Sequence, residues 1–340
     1  MTDAYEAAGV SFTSGDAAVE RIGAAVKSTH DERVVSGLGS FGGVFDLASL
    51  AGLDDPLLVA STDGVGTKTK LSAAMDRWEG AGADIVNHGI NDVIVQGARP
   101  LFFLDTVAAH HLDPEIVGRI VDGMAAACRE AGCVLLGGET AEMPGVFTDG
   151  AVDIAGTMVG AVARAKLLPR AGIAPGHVLV GIGSSGLHTN GYSLARQVAG
   201  DQPLTNPLPG GDGVSIGHAL TAVHRSYLPV LDAALDADLI DALAHITGGG
   251  LLDNIPRVLP DGLGAVVDTS TWTRPALFEW LIASAELDDE QAHRIFNCGV
   301  GMIAIVEPDR VDAVQSAIDE PTWIMGEVVE SAADPRVELA

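Results

Sequence analysis

The run Ser61-Thr-Asp-Gly-Val-Gly-Thr-Lys68 gathers a carboxylate (Asp63), two glycines (Gly64 and Gly66), a hydroxyl (Thr67) and an ammonium (Lys68). Glycines remove the Cβ atoms that hold a backbone away from a ligand, and a carboxylate near a lysine suits a polyphosphate carried on a divalent cation. The run is not a Walker A loop, because Thr67 separates Gly66 from Lys68. An acidic glycine-rich turn is also ordinary punctuation between a strand and a helix. The other carboxylates bear on the choice. Asp105 follows the apolar run Leu101 to Leu104, and Glu139 follows Val134 to Leu136 and two glycines. Asp92 lies, with Asn87 and Asn91, on a helical pattern from Ala83 to Val95, where polar residues could simply face water.

If Asp63, Asp92 and Glu139 converge, bare carboxylates about 4 Å apart repel by roughly 4 kcal/mol per pair at a surface-like dielectric, so a cation must compensate. Mg²⁺ suits oxygen ligands and usually binds through one or two carboxylates plus phosphate and water. Acids that stay solvated in separate loops are the open alternative. His/Cys spacing suggesting zinc or iron is missing, as is the Gly-x-Ser-x-Gly elbow of hydrolases. His188 and His245 sit beside glycines and hydroxyl residues, a setting for proton transfer or phosphate contact. His110, His111, His218 and His224 have no such setting and are expected at the surface.

The elements that must position these residues are mixed. Leu57 to Ala60 predicts a strand before the first loop, so three strands deliver Asp63, Asp105 and Glu139 just beyond their last residues. Ala17 to Lys27 has helical spacing. Asp113 reads as the N-cap of a helix that begins at Pro114, carries Ile116, Ile120, Met124 and Cys128 on one stripe, and closes at Gly132. Val152 to Val162 predicts another strand, and the connection Lys166 to Pro175 marks a domain boundary. Val178 to Ile182 then predicts a strand that opens the second half.

Two more glycine runs need weighing. Gly37-Leu-Gly-Ser-Phe-Gly-Gly-Val44 has the form of a kinase phosphate loop, but the other kinase motifs do not follow it; a flap over phosphates or a plain surface loop remains. Gly181-Ile-Gly-Ser-Ser-Gly186 is formally GxGxxG, yet Asn190 and Gly191 interrupt the helix that a dinucleotide site needs.

The chain has 340 residues, 47% of them hydrophobic, and a net charge of −27. That length supports two domains with real cores, and that charge argues against nucleic-acid binding while allowing a metal-screened nucleotide. Apolar runs long enough to span a bilayer are absent, and the N-terminus lacks signal-peptide character, so a cytoplasmic protein is expected. Cys128, Cys133 and Cys298 cannot build a disulfide framework and are expected to fill core space.

Taken together, Ser61–Lys68, Asn91-Asp92, Phe102–Asp105, Gly137–Gly145, Gly183–Leu194, His245–Gly250, Asn254–Pro260 and Phe296–Met302 closely resemble the phosphoribosylformylglycinamidine cyclo-ligase family, in order and over nearly the whole chain. The Asp-Gly-Val-Gly-Thr-Lys loop alone resembles the wider ATP-binding superfamily that includes selenophosphate synthetase and thiamine-monophosphate kinase. The resemblance implies a two-domain α+β subunit. Residues 1–168 would bind ATP and Mg²⁺ and dimerise through their sheet into a shared barrel, and residues 169–340, an α+β sandwich, would bind substrate. It implies ATP-driven closure of formylglycinamidine ribonucleotide to aminoimidazole ribonucleotide, with ADP and phosphate released.

By this analogy Asp63, Asp92 and Glu139, with Asp105, are assigned to the metal. Gly39, Gly42, Gly64, Gly66, Thr67 and Lys68 are assigned to the nucleotide, with Asp63, Lys68, His188 and His245 in catalysis. Ser184, Ser185, Asn190, Thr247 and Gly248 are assigned to substrate. The chain departs from the family pattern at Gly23, Ser40 and Thr106, and its Gly200 to Gly213 insertion reads as loop variation.

Overall fold

The computed structural model describes residues 12–36, 42–331 and 336–340. The chain forms two compact units, one of the described residues up to Val93 with Arg99–Ala163, the other of Ile94–Ala98 with Arg164–Ala340. Each combines one sheet with helices, the two-domain α+β organisation expected. Among the described residues, no helix is long and apolar enough to cross a membrane.

In the first unit the helices are α1 (Phe12–Lys27), α2 (Thr69–Ala74), α3 (Trp78–Ile94) and α4 (Pro114–Glu130). The strands β1 (Pro56–Gly64), β2 (Arg99–Ala109), β3 (Val134–Glu142) and β4 (Val152–Ala163) align in the order β1-β4-β2-β3. β4 runs antiparallel to both β1 and β2, and β2 is parallel to β3 through the crossover that carries α4. α4 follows its sequence grammar: the Asp113 carboxylate accepts from the Glu115 and Ile116 amides, and Ile120, Met124 and Cys128 are buried. In β2, Phe103, Asp105 and Val107 are buried while Leu104 and Thr106 are exposed, so one sheet face is covered and the other open.

The strands do not stop before the carboxylates. β1 continues through Asp63, and β2 and β3 continue past Asp105 and Glu139, because the long β4 and the β2–β3 pairing keep supplying backbone partners. Asp63, Asp105 and Glu139 are therefore strand residues in fixed register, not loop residues.

α3 begins five residues before the expected Ala83 and is buried on nearly every side; Asn87 and Asn91 face the interior, not water. Its contact with α4 depends on glycine. A Cβ on Gly82 would stand 1.9 Å from the Ile120 carbonyl oxygen, and one on Gly123 would stand 1.9 Å from that of Glu79. Gly82→Ala must push the two helix backbones apart, and we expect a loss of about 1–3 kcal/mol, read by denaturant unfolding.

The second unit holds β5 (Val178–Gly183), β6 (Ala242–His245), β7 (Leu263–Val267), β8 (Val300–Val306), β9 (Thr322–Glu330) and β10 (Val337–Leu339), in the order β10-β7-β9-β5-β8-β6. β10 and β7 are parallel and the other neighbours antiparallel. β8 is buried along its whole length, and its Ile303 and Ile305 join Leu179, Leu251, Ile255 and Met325 in the core. The three cysteines are free and buried. No helix starts at the Gly181–Gly186 run: α5 (Tyr192–Ala199) begins only after Gly191, so the phosphate cradle of a dinucleotide fold is not built there.

Candidate functional site

On the covered face of the first sheet, Asp63 on β1 meets α3. His88 Nε2 lies 2.9 Å from Asp63 Oδ2 and 3.6 Å from Asp92 Oδ2, and Ser61 Oγ donates to Asp92 Oδ2 at 2.6 Å. The His88 hydrogen bond holds the Asp63 carboxyl below its ordinary range. Burial pushes the His88 imidazole down, but the bond to Asp63 and the charges of Asp92, Asp63 and Asp84 outweigh it and raise its pKa. His88 thus bridges two carboxylates from different elements. His88 was not singled out from sequence, although its i,i+4 spacing to Asp92 puts the two side chains on one helix face.

Asp105 belongs to the same face. Asp63 and Asp105 both pair with Gly156 of β4, from opposite sides, and Asp105 also pairs with Gly138. A Cβ on Gly138 would lie 2.2 Å from Asp105 Oδ1, so only glycine leaves room for that carboxyl. Asp105 is buried, and burial, with a smaller contribution from the charge of Glu139, pushes its pKa up to about 7.

Glu139 is not brought to Asp63 and Asp92. It pairs with Thr106, one residue out of phase with Asp105, and the two-residue period of a strand sends it to the open face. Among the described residues, Asp63, Asp92 and Glu139 do not form a group whose donor atoms are close enough to share one ion.

Because the folded pKa of Asp105 is raised above 3.8, the stability it contributes is complete below about pH 4 and is lost as pH rises through 7. We expect Asp105→Asn to remove up to about 4 kcal/mol of this pH dependence between pH 4 and 8, measured by urea unfolding without metal.

Lys68 departs from its expected role. Its side chain is 1% exposed, and Nζ lies 2.6 Å from Asp84 Oδ2, itself fully buried on α3. Burial pushes the Lys68 pKa down while Asp84 pulls it up. The ammonium is a buried ion-pair partner inside the first unit, not an open cation for phosphate. Thr67 remains exposed, Gly66 takes a positive φ of 63°, and the Gly64 amide donates to its neighbour Asp63 at 2.6 Å. Gly42 is exposed with nothing near it, whereas Gly39 and Ser40 lie outside the described residues.

In the second unit three separate loops interlock. Ser184 Oγ donates to Asn297 Oδ1, and Asn297 Nδ2 donates to the Gly186 carbonyl. Asn190 Oδ1 lies 3.0 Å from where a Cβ of Gly248 would stand, and Asn254 ties the carbonyls of Thr247, Gly248 and Gly250 together. Ser184 and Ser185 line a cavity of about 330 Å³ shared with Leu208, Val214, Leu277 and Phe278. The insertion that read as loop variation therefore supplies part of a cavity wall.

His224, expected at the surface, is fully buried between His188 and His245. Its ring stacks on His188 with centroids 4.1 Å apart and planes 13° apart, and its Nε2 lies 3.0 Å from His245 Nε2. Ring nitrogens of all three lie within 4.8 Å of one another. Near-parallel stacked rings cannot aim in-plane lone pairs at one ion, so the cluster is a stacked pair, His188 on His224, joined by a hydrogen bond to His245.

Residues 45–162 match the family model described as AIR synthase related protein, N-terminal domain, and residues 174–336 match the C-terminal domain of the same family. The chain belongs to the AIR synthase-related family. Solved structures share the fold of this AIR synthase-related protein. A thiamine-monophosphate kinase from Stenotrophomonas maltophilia K279a is 18% identical, covering 95% of each chain with a TM-score of 0.68. HypE of E. coli is 20% identical over 96% of this chain and 93% of its own, also with a TM-score of 0.68. A hydrogenase maturation protein HypE solved in complex with ATP is 18% identical over 92% and 88%, with a TM-score of 0.63.

The covered face of this family member suits a hard divalent cation. Asp63, Asp92 and Asp105 offer only oxygen donors, although among the described residues they too do not form a group close enough to share one ion as they stand, and a buried carboxyl raised to about 7 is one that a nearby cation would return to its charged form.

Proposed function

We propose that this protein is an ATP-dependent phosphoribosylformylglycinamidine cyclo-ligase of purine biosynthesis, acting in the cytoplasm. The observation that carries the reading is the meeting of the Gly183–Gly191, His245–Gly250 and Asn297–Gly299 segments, far apart in sequence, the first of which lines a cavity through Ser184, Ser185 and Gly186. These are the segments in which the sequence resembles the cyclo-ligases specifically. The nucleotide loop is common to the superfamily.

In this reading the first unit binds ATP along Gly64, Gly66 and Thr67, with Gly42 before them in the chain; Gly39, also assigned to the nucleotide, lies outside the described residues. Asp63, Asp92 and Asp105 hold Mg²⁺, which when bound supplies charge neutralisation on the phosphates. The second unit takes formylglycinamidine ribonucleotide through Ser184, Ser185, Asn190, Thr247 and Gly248. The formyl oxygen takes the γ-phosphoryl group of ATP, ADP leaves, and an iminophosphate results. A nitrogen of the same substrate bonds the formyl carbon, the C–O bond breaks, and phosphate departs with that oxygen. An amide oxygen leaves poorly until phosphorylated, and such transfer depends on positioning and charge neutralisation more than on a protein nucleophile. His245 and His188 handle the proton that the attacking nitrogen sheds.

A homodimer fits the open face of the first sheet, where Leu58 is 62% and Leu104 36% exposed. Sedimentation of the purified protein should give twice the mass of the chain.

The shared fold of thiamine-monophosphate kinase favours a second reading, a small-molecule kinase. Incubation with Mg-ATP and formylglycinamidine ribonucleotide separates the two. The cyclo-ligase yields aminoimidazole ribonucleotide and one inorganic phosphate per ADP; a kinase leaves phosphate on its product.

A further inference from the structure

The two serines on the cavity wall have their donors committed to the protein. Asn297 is buried, and two backbone groups fix which way its amide faces: the Gly299 amide donates to Oδ1 at 2.9 Å, and Nδ2 donates to the Gly186 carbonyl at 2.8 Å. At its 3.0 Å contact with that same Oδ1 the Ser184 hydroxyl must therefore donate. The Ser185 hydroxyl lies 2.6 Å from the Val223 carbonyl, which can only accept, so its proton is committed as well. Were that proton to swing to its other neighbour, His188 Nε2 at 3.1 Å, it would still stay on the protein. The backbone amides follow suit: that of Ser184 donates to the Gly299 carbonyl at 2.9 Å, and that of Ser185 points at His188 Nε2 at 3.1 Å. What the two serines still offer a ligand is lone pairs on Oγ.

A phosphate cradle is the opposite arrangement, with N–H and O–H groups aimed at the ligand. Among the described residues, no lysine or arginine lines this cavity, and much of its wall is apolar, with Leu208, Val214, Leu277 and Phe278. A phosphate oxygen beside Ser184 and Ser185 would set lone pairs against lone pairs and lose its water without a donor in return. The glycine-and-serine run looks like a phosphate loop in sequence, but its serines are turned the other way.

We infer that Ser184 and Ser185 receive the amidine group of the substrate and so distinguish it from the corresponding amide. This rests on the cyclo-ligase reading and deepens it. Of the groups on formylglycinamidine ribonucleotide, the phosphate only accepts, and the formamide and the ribose hydroxyls both donate and accept. The amidine, protonated at neutral pH, carries N–H donors on both nitrogens and has no lone pair to oppose the serine oxygens. Replacing its C=NH₂⁺ by C=O puts an acceptor where the site needs a donor, and a site built to bind an N–H rejects the analogue that lacks it. The reaction that supplies this substrate is then one that converts the amide into the amidine, and the serine pair keeps the unconverted amide out.

The test titrates the full chain, without ATP, with formylglycinamidine ribonucleotide and with its amide counterpart, formylglycinamide ribonucleotide, by isothermal calorimetry. Wild type should bind the amidine about 10- to 100-fold more tightly than the amide. Ser184→Ala and Ser185→Ala, each checked by thermal melting, should weaken amidine binding about tenfold and leave amide binding within about twofold of wild type. Ser184→Thr keeps the hydroxyl and should keep the preference. Equal affinity of wild type for the two compounds overturns the inference. So does equal weakening of both compounds in the alanine variants, which places the serines against the ribose or phosphate that the two share. In either case, turnover of the amidine by wild type with Mg-ATP leaves the cyclo-ligase reading standing. A wild-type protein that neither binds nor turns over the amidine defeats that reading and the inference together.

Discussion

Asp63→Asn will cut Mg-ATP-dependent turnover by at least about 100-fold while leaving the thermal midpoint close to wild type. Two features of the residue set this split. Its side chain is 48% exposed, so the fold loses little when the charge goes. Its carboxylate is nevertheless held ionised by His88 and sits in register with Asp105 across Gly156, where the proposed reading has a preorganised charge act on the transferring phosphoryl group. The asparagine cannot supply that charge. Steady-state kinetics with saturating substrate, paired with thermal melting, reads both halves; turnover near wild type would remove Asp63 from the metal set.

The Lys68–Asp84 pair should show the reverse pattern. Asp84→Asn strands a buried ammonium, and removing one member of a buried ion pair costs about 3–5 kcal/mol. For a unit of this size that corresponds to a fall of roughly 10 °C in melting temperature. The double variant Lys68→Met with Asp84→Leu removes both charges and should recover much of the loss, because the desolvation penalty goes with them. If Lys68→Met melted like wild type but lost ATP affinity, the phosphate-contact assignment would stand and the interior ion pair would be incidental.

Local grammar was legible wherever a single element decides the outcome. The α4 helix, with Asp113 capping and its apolar stripe, reads directly because capping and periodicity are properties of neighbours in sequence. The family and the two-unit α+β organisation were legible for a different reason: many motifs occur in one order.

What the sequence hides is register and burial. Asp105 and Glu139 look alike, each following an apolar run, yet pairing one residue out of phase puts one under helices and the other on the open face. Lys68 ends a glycine loop and looks available, but Asp84, sixteen residues on, captures it inside the unit. His224 has no glycine beside it, and its local sequence does not mark it because its partners, His188 and His245, come from other segments. His88 alone carried a usable local signal, its helical spacing to Asp92.

Transfer of the formyl oxygen to phosphate is the most direct consequence of the proposed chemistry. Formylglycinamidine ribonucleotide bearing ¹⁸O at the formyl group, turned over with unlabelled Mg-ATP, should yield inorganic phosphate carrying one ¹⁸O atom and an aminoimidazole product carrying none. Unlabelled phosphate, or label kept in a phosphorylated product, would contradict it.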